Sequence, residues 1–171
     1  IHVNRHDSLL SVNNDAKKLQ EQGQGTYFGT VFRAPTKPLR GSVPIHRVYN
    51  SSATYHDFLT DSDKKGKEAK YSGLRDEGST LQAWKTQVAD TVPVYRMTRG
   101  GDITQAVFST DKAWGDKMLA AGKNDPNGWK RDDIAPFIAF YAFPPNYKVA
   151  GQANPYDCSI LENYVTERCA G

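Results

Sequence analysis

Two of the four histidines are followed by an aspartate, His6-Asp7 and His56-Asp57, 50 positions apart. An imidazole beside a carboxylate can carry a proton if a third group orients it and a substrate comes within hydrogen-bond reach. No residue of known role orients either pair. No catalytic residue is therefore assigned, and the simpler reading is a His-Asp pair that shapes a turn at a strand edge. Three cations, Arg47, Arg96 and Lys148, hold one position in three similar runs: Pro44-Ile45-His46-Arg47-Val48, Pro93-Val94-Tyr95-Arg96-Met97 and Pro145-Asn146-Tyr147-Lys148-Val149. Brought together, they would grip an anionic or polyhydroxylated ligand. Kept apart, each would pair with an acid of its own segment, such as Asp76, Glu77, Asp132 or Asp133.

Three tryptophans, nine tyrosines and seven phenylalanines supply aromatic surface, which suits sugar rings as well as an ordinary core. Trp114 shares a helical face with Met118 and Ala121 and reads as core. Trp129 follows a Gly-rich turn and reads as a ligand candidate. The turns after the opening strands, Asn50 to Thr54 and Thr98 to Thr104, are polar and unequal. The expected site is shallow and polar, near one of these turns, with Arg96, Asp102 and Trp129 contributing and Arg47 as the matching cation. The chain has no P-loop, G-x-S-x-G, C-x-x-C or H-E-x-x-H motif. No cofactor or metal is expected, and Gly100-Gly101-Asp102 reads as a hairpin turn.

The elements that must position these residues repeat with a fixed period. Pro44 and Pro93, like Arg47 and Arg96, are 49 apart, while Thr60 and Thr110, like Phe58 and Phe108, are 50 apart. Gly23, Gly73 and Gly122 each end a polar segment that opens on turn or cap residues, where a glycine accepts the left-handed position after a helix. A period of this size marks a repeat architecture. The expected fold is a β-rich α+β domain of three pseudo-threefold strand–strand–helix–strand repeats, at residues 1–34, 43–88 and 92–143. The first repeat lacks its opening strand and is completed by residues 144–150, which close the ring and cover sheet edges. A β-trefoil is the alternative, against which helices inside each unit argue. Ser62 to Tyr71 reads as a short, exposed or frayed helix because of Gly66, and Leu81 to Val88 as the strand closing the second repeat.

One domain spans residues 1–171, with a C-terminal tail at 151–171. A net charge of +3, from 22 basic and 19 acidic side chains, is too balanced for a nucleic-acid or membrane surface. No apolar run approaches the ~20 residues of a membrane span. The chain begins at Ile1 rather than Met and so reads as a processed or trimmed product. Asn50-Ser51-Ser52 is an N-glycosylation sequon. Cys158 and Cys169 are expected to form a disulfide that staples the tail, contributing up to ~3 kcal/mol by loop entropy.

The pattern V-P-V-Y-R, then F-S-T-D before a helix, then an apolar A-F-Y-A-F resembles a secreted repeat domain of unknown function found in bacterial and fungal extracellular proteins. That family's fuller signature is V-Y-R-x-Y-N, then D-H-F-Y-T, a glutamate-bearing helix, and E-G-x-A-F-Y. Arg47, Tyr49 and Asn50 match the first element, as do Tyr95 and Arg96. Phe58 and Thr60, and Phe108 and Thr110, match the second, and Glu77-Gly78 matches the last. Where the signature has histidine, this chain holds Asp7, Asp57 and Val107. The resemblance implies secretion and a binding or accessory role, and brings no catalytic residue with it. The expected function is a secreted, lectin-like carbohydrate-binding protein. The alternatives are a small secreted hydrolase, ribonuclease-like or cell-wall-degrading, and a defence protein that binds another protein.

Overall fold

The computed structural model describes residues 2–3, 8–9, 20–23, 26–27, 30–51, 55–99 and 105–147. In chain order the strands and helices are β1 (His2–Val3), β2 (Ser8–Leu9), β3 (Thr26–Tyr27), β4 (Val43–Asn50), β5 (Tyr55–Leu59), α1 (Asp61–Lys70), β6 (Leu74–Ala83), β7 (Val92–Arg99), β8 (Gln105–Ser109), α2 (Lys112–Gly122), β9 (Trp129–Lys130) and β10 (Ile138–Ala142). The architecture is β-rich. Two antiparallel sheets, ordered β5-β4-β6 and β10-β7-β8 with β9 also on β7, carry the two helices, and a small sheet of two-residue strands is ordered β2-β1-β3. No barrel closes among the described residues, as a β-trefoil would require.

The hairpins keep one register. Arg47 lies opposite Phe58 in β4–β5, and Arg96 lies opposite Phe108 in β7–β8. Phe58 and Phe108 thus reach the space between the sheets and meet edge to face, with ring centroids 6.0 Å apart. Phe140 stacks on Phe108 and takes Phe32 edge-on, and Ile45, Leu81, Ala83, Val94, Ala106, Ala139 and Ala142 fill the rest of this core. Alternating apolar positions on both sheets exclude water from one shared layer, which is the main drive to fold. A second cluster holds Trp84 against Phe143, where Trp84 and Tyr141 exchange backbone hydrogen bonds and join the two sheets.

Each helix has a side-chain cap. Thr60 accepts from the Asp63 N–H at the start of α1, and Asp111 accepts from the Trp114 N–H at the start of α2. In α1, Asp61 and Asp63 lie in the first turn and Lys67 and Lys70 in the last, which suits the helix dipole. Gly66 does not fray α1, which runs ten residues. A Cβ at Gly66 would stand 2.8 Å from Ile134 Cγ2, so the glycine marks a close packing point. The buried stripe of α2 holds Gly115, with Met118, Leu119 and Gly122 half-buried beside it, and Trp114 is 38 % exposed rather than core. A count of apolar residues misses glycines that face a neighbour, and so turned the helix by one position.

Other expectations shift for physical reasons. The strand after α1 is β6, Leu74–Ala83, rather than Leu81 to Val88; it is a sheet edge rich in charge and lacks an apolar rhythm. His2–Val3 supplies a central strand to the small sheet, where no opening strand was expected. Of the expected closing strand 144–150, residues 144–147 form a turn with a Tyr147 N–H to Pro144 O bond, and 148–150 lie outside the described residues. Pro144 and Pro145 remove two successive ladder donors. Gly23 and Gly73 have the expected positive φ, at 70° and 84°. Gly122 instead ends α2 in close contact with β9, where an added Cβ would meet Trp129 O at 2.5 Å.

Candidate functional site

Three polar constellations stand out. The first is interior. Arg96 Nε donates to Asp57 Oδ1 at 3.0 Å, its Nη2 bonds the other Asp57 oxygen, and its Nη1 donates to Asp132 Oδ2 at 2.7 Å. Lys67, from α1, bonds Asp132 as well and lies 4.0 Å from Asp57. All four side chains are 0 % exposed. Asp132 Oδ1 also accepts the Ile134 and Ala135 N–H groups at 2.8 and 2.9 Å, which folds the loop before β10 onto the cluster. Burial works to raise the Asp132 carboxyl, but Arg96 and Lys67 overcome it and hold the group at about 2. Burial, helped by Arg96, lowers Lys67. Burial would also lower Arg96, but Asp57 and Asp132 raise it. The cluster ties α1, both sheets and the 131–137 loop together and is closed to ligands.

The second constellation lies on the β4-β5-β6 sheet. Glu77 and Gly78 (φ 92°) sit where the β4–β6 register shifts, so the successive acids Asp76 and Glu77 serve different partners. Glu77 takes Arg47 Nε at 2.8 Å and Arg75 Nη2 at 2.7 Å, with His56 Nε2 at 3.3 Å. Tyr49 packs its ring 5.0 Å from His56, and the Arg75 guanidinium lies 5.3 Å from the Tyr49 centroid. Burial tends to raise Glu77, yet the Arg75 hydrogen bond and the charges of Arg47 and His56 leave it below its ordinary value. Nearby, His46 Nδ1 is 2.9 Å from Asp76. Its Nε2 is 2.8 Å from Asp61 but off line for a hydrogen bond.

The third is a groove of about 570 Å³ between the end of α2 and β9. Leu119, Pro126 and Trp129 give it apolar wall, and Asp116, Asp125, Lys123, Lys130 and Arg131 give it charge. Arg99 lies over the Trp129 indole, 5.6 Å from its centroid, a cation–π contact that fixes the ring.

The expected site residues therefore separate. Arg47 and Arg96 do not gather: each pairs with an acid of its own segment, Glu77 and Asp132, and Arg96 also takes Asp57. Arg96 is interior and belongs to no shallow site. Trp129 lines the groove. Asp102, His6, Lys148, Cys158 and Cys169 lie outside the described residues. Asn50 ends β4 at 1 % exposure, an enclosed amide where a glycan-bearing asparagine would stand in the open. Asp132 was among the acids expected to pair with Arg47, Arg96 or Lys148, whereas Lys67 and Arg75 were not expected, and Asp57 was expected only as the neighbour of His56 at a turn. Asp57 did carry a signal, since it stands where the resembling family has histidine and the matching position of the β7–β8 hairpin holds Val107. Among the described residues no group of His, Cys, Asp and Glu is arranged to hold a metal, and no helix is long and apolar enough to cross a membrane.

Hairpin, helix and returning strand on a central first strand, built twice and cross-linked by buried charge, define an antiparallel α+β domain class. A family model described as a domain of unknown function, DUF5648, matches residues 3–142, and the chain belongs to that family. No curated protein and no solved structure matches it.

Proposed function

We propose that the protein is a secreted, lectin-like carbohydrate-binding domain without catalytic activity, and that its ligand lies in the groove at Trp129. The groove carries this reading, with about 570 Å³ walled by an indole, a proline and charges of both signs. A sugar ring offers apolar C–H patches and a rim of hydroxyls, which ask for an aromatic surface and alternating donors and acceptors. The walls are a helix end and a strand paired to β7 at Thr98–Lys130 and Arg99–Trp129, so little order has to be gained on binding.

The architecture belongs to the same reading. We take it as three pseudo-threefold repeats, supported by the first strand of each sheet being central and by β2, β5 and β8, the second strands, all neighbouring one another. A glycan array read with wild type and Trp129→Ala tests the function. Specific retention that Trp129→Ala removes, at an unchanged melting temperature, supports it. Turnover of RNA or polysaccharide that His56→Ala abolishes would replace it with the hydrolase reading.

A further inference from the structure

We propose that the β4-β5-β6 sheet carries a second, separate site, in which Arg47 and Arg75 arranged around Glu77 take an oxyanion: a phosphate, sulfate or carboxylate group. It shares no residue with the Trp129 groove and does not depend on the carbohydrate reading.

Two guanidiniums share one carboxylate, so one positive charge is left over, with His56 beside it. Stability does not ask for this. A surface ion pair contributes about 0–1 kcal/mol, and a second arginine on an occupied carboxylate contributes less while repelling the first. Arg96, at the same hairpin register, shows the structural alternative: it is interior and neutralised by two aspartates. Geometry points the same way. Arg47 spends its Nε on Glu77, and its terminal nitrogens, the edge that meets an oxyanion in a fork, bond nothing among the described residues. Its side chain is 38 % exposed and that of Arg75 is 69 % exposed. Neither is loose, because Glu77 fixes both and Tyr49 carries Arg75 on its ring. A cation held in place before the ligand arrives loses less entropy on binding.

The test is a ¹H–¹⁵N NMR titration with inorganic phosphate and inorganic sulfate at constant ionic strength. Saturable shifts are expected at Arg47, Tyr49, His56, Arg75 and Glu77. Losing the Arg47 fork and the Arg75 charge should weaken binding by about tenfold or more in Arg47→Ala/Arg75→Ala. That variant should keep its melting temperature, and Trp129→Ala should keep the site. Adenosine monophosphate, N-acetylglucosamine 6-sulfate and glucuronic acid then distinguish the source of the oxyanion by which binds tightest. Absence of saturable shifts on this sheet, or equal binding by the double variant, overturns the proposal.

Discussion

Arg96 on β7 and Asp57 on β5 meet between the two sheets as a two-pronged pair, Nε to Oδ1 at 3.0 Å and Nη2 to the other oxygen, with neither side chain exposed. Lys67 and Asp132 bring the buried charge to two positive and two negative groups. Such a cluster is tolerable because every charge has opposite partners, and Asp57 and Asp132 also accept backbone N–H groups. It need not stabilise more than an apolar core of equal volume would. What it does is make each element depend on the others.

Asp57→Asn should therefore be costly. It leaves Arg96 and Lys67 in the interior with one carboxylate between them. A loss of about 3–5 kcal/mol in urea unfolding is expected, the range for breaking a buried pair. Asp57→Val with Arg96→Met should recover part of that loss, since it removes one charge of each sign. A double variant as unstable as the sum of its single variants would show that the two residues act independently.

Acid should attack the same place. The Asp132 carboxyl is held at about 2 in the folded chain, against an ordinary 3.8. Its folded value is the lower one, so its contribution is complete above the unfolded value and drains away as pH falls from about 4 toward 2. That difference corresponds to about 2 kcal/mol. Stability measured by denaturant should fall across that window. Asp132→Asn should be less stable at neutral pH and should lack this part of the pH dependence.

Gly122→Ala tests the wall of the groove. An added Cβ would meet the Trp129 backbone oxygen at 2.5 Å and nitrogen at 2.6 Å. Helix propensity favours alanine by up to about 1 kcal/mol, but overpacking against backbone costs about 1–3 kcal/mol. A net loss of stability is expected, with β9 displaced and glycan binding at Trp129 weakened. A stabilised variant with intact binding would show that α2 and β9 have room to part.

The hairpin β7–β8 and the two helices were legible because apolar alternation and caps are local signals. Ser62 to Tyr71 differs from the observed helix, Asp61–Lys70, by one residue at each end, and the helical face expected at Trp114, Met118 and Ala121 falls within Lys112–Gly122. What escaped was set by partners distant in sequence. β6 is an edge strand carrying Arg75, Asp76 and Glu77, and only its pairing with β4 makes it a strand. Trp114 read as core because Gly115 and Gly122, which face neighbours, weigh nothing in an apolar count. Asp57 and Arg96 lie 39 positions apart, so their pairing appears only once the sheets face each other. Lys67 sits in a polar helix whose composition announces solvent, yet its side chain is enclosed. The Gly-rich turn before Trp129 was legible as a turn, and it forms the groove's rim.

Arg47 and Arg96 hold matching places in the β4–β5 and β7–β8 hairpins. Both stand opposite a core phenylalanine in equivalent hairpins, so local propensity treats them alike. Their surroundings differ. Arg47 is 38 % exposed and bound to one carboxylate, and water replaces that bond when the side chain is cut. Arg96 is 0 % exposed, and cutting it strands Asp57 and Asp132 with only Lys67. Arg47→Ala is expected to change stability by no more than about 1 kcal/mol, Arg96→Ala by about 3–5 kcal/mol. Urea unfolding of the two variants side by side measures the difference. Raising the salt from 0.05 to 0.5 M should erase what Arg47 contributes and leave the Arg96 deficit in place, since screening reaches surface charges and hardly touches buried ones. Equal losses in the two variants would mean that the Arg47–Glu77 cluster holds the sheet together, and the case for an oxyanion site there would fall with it.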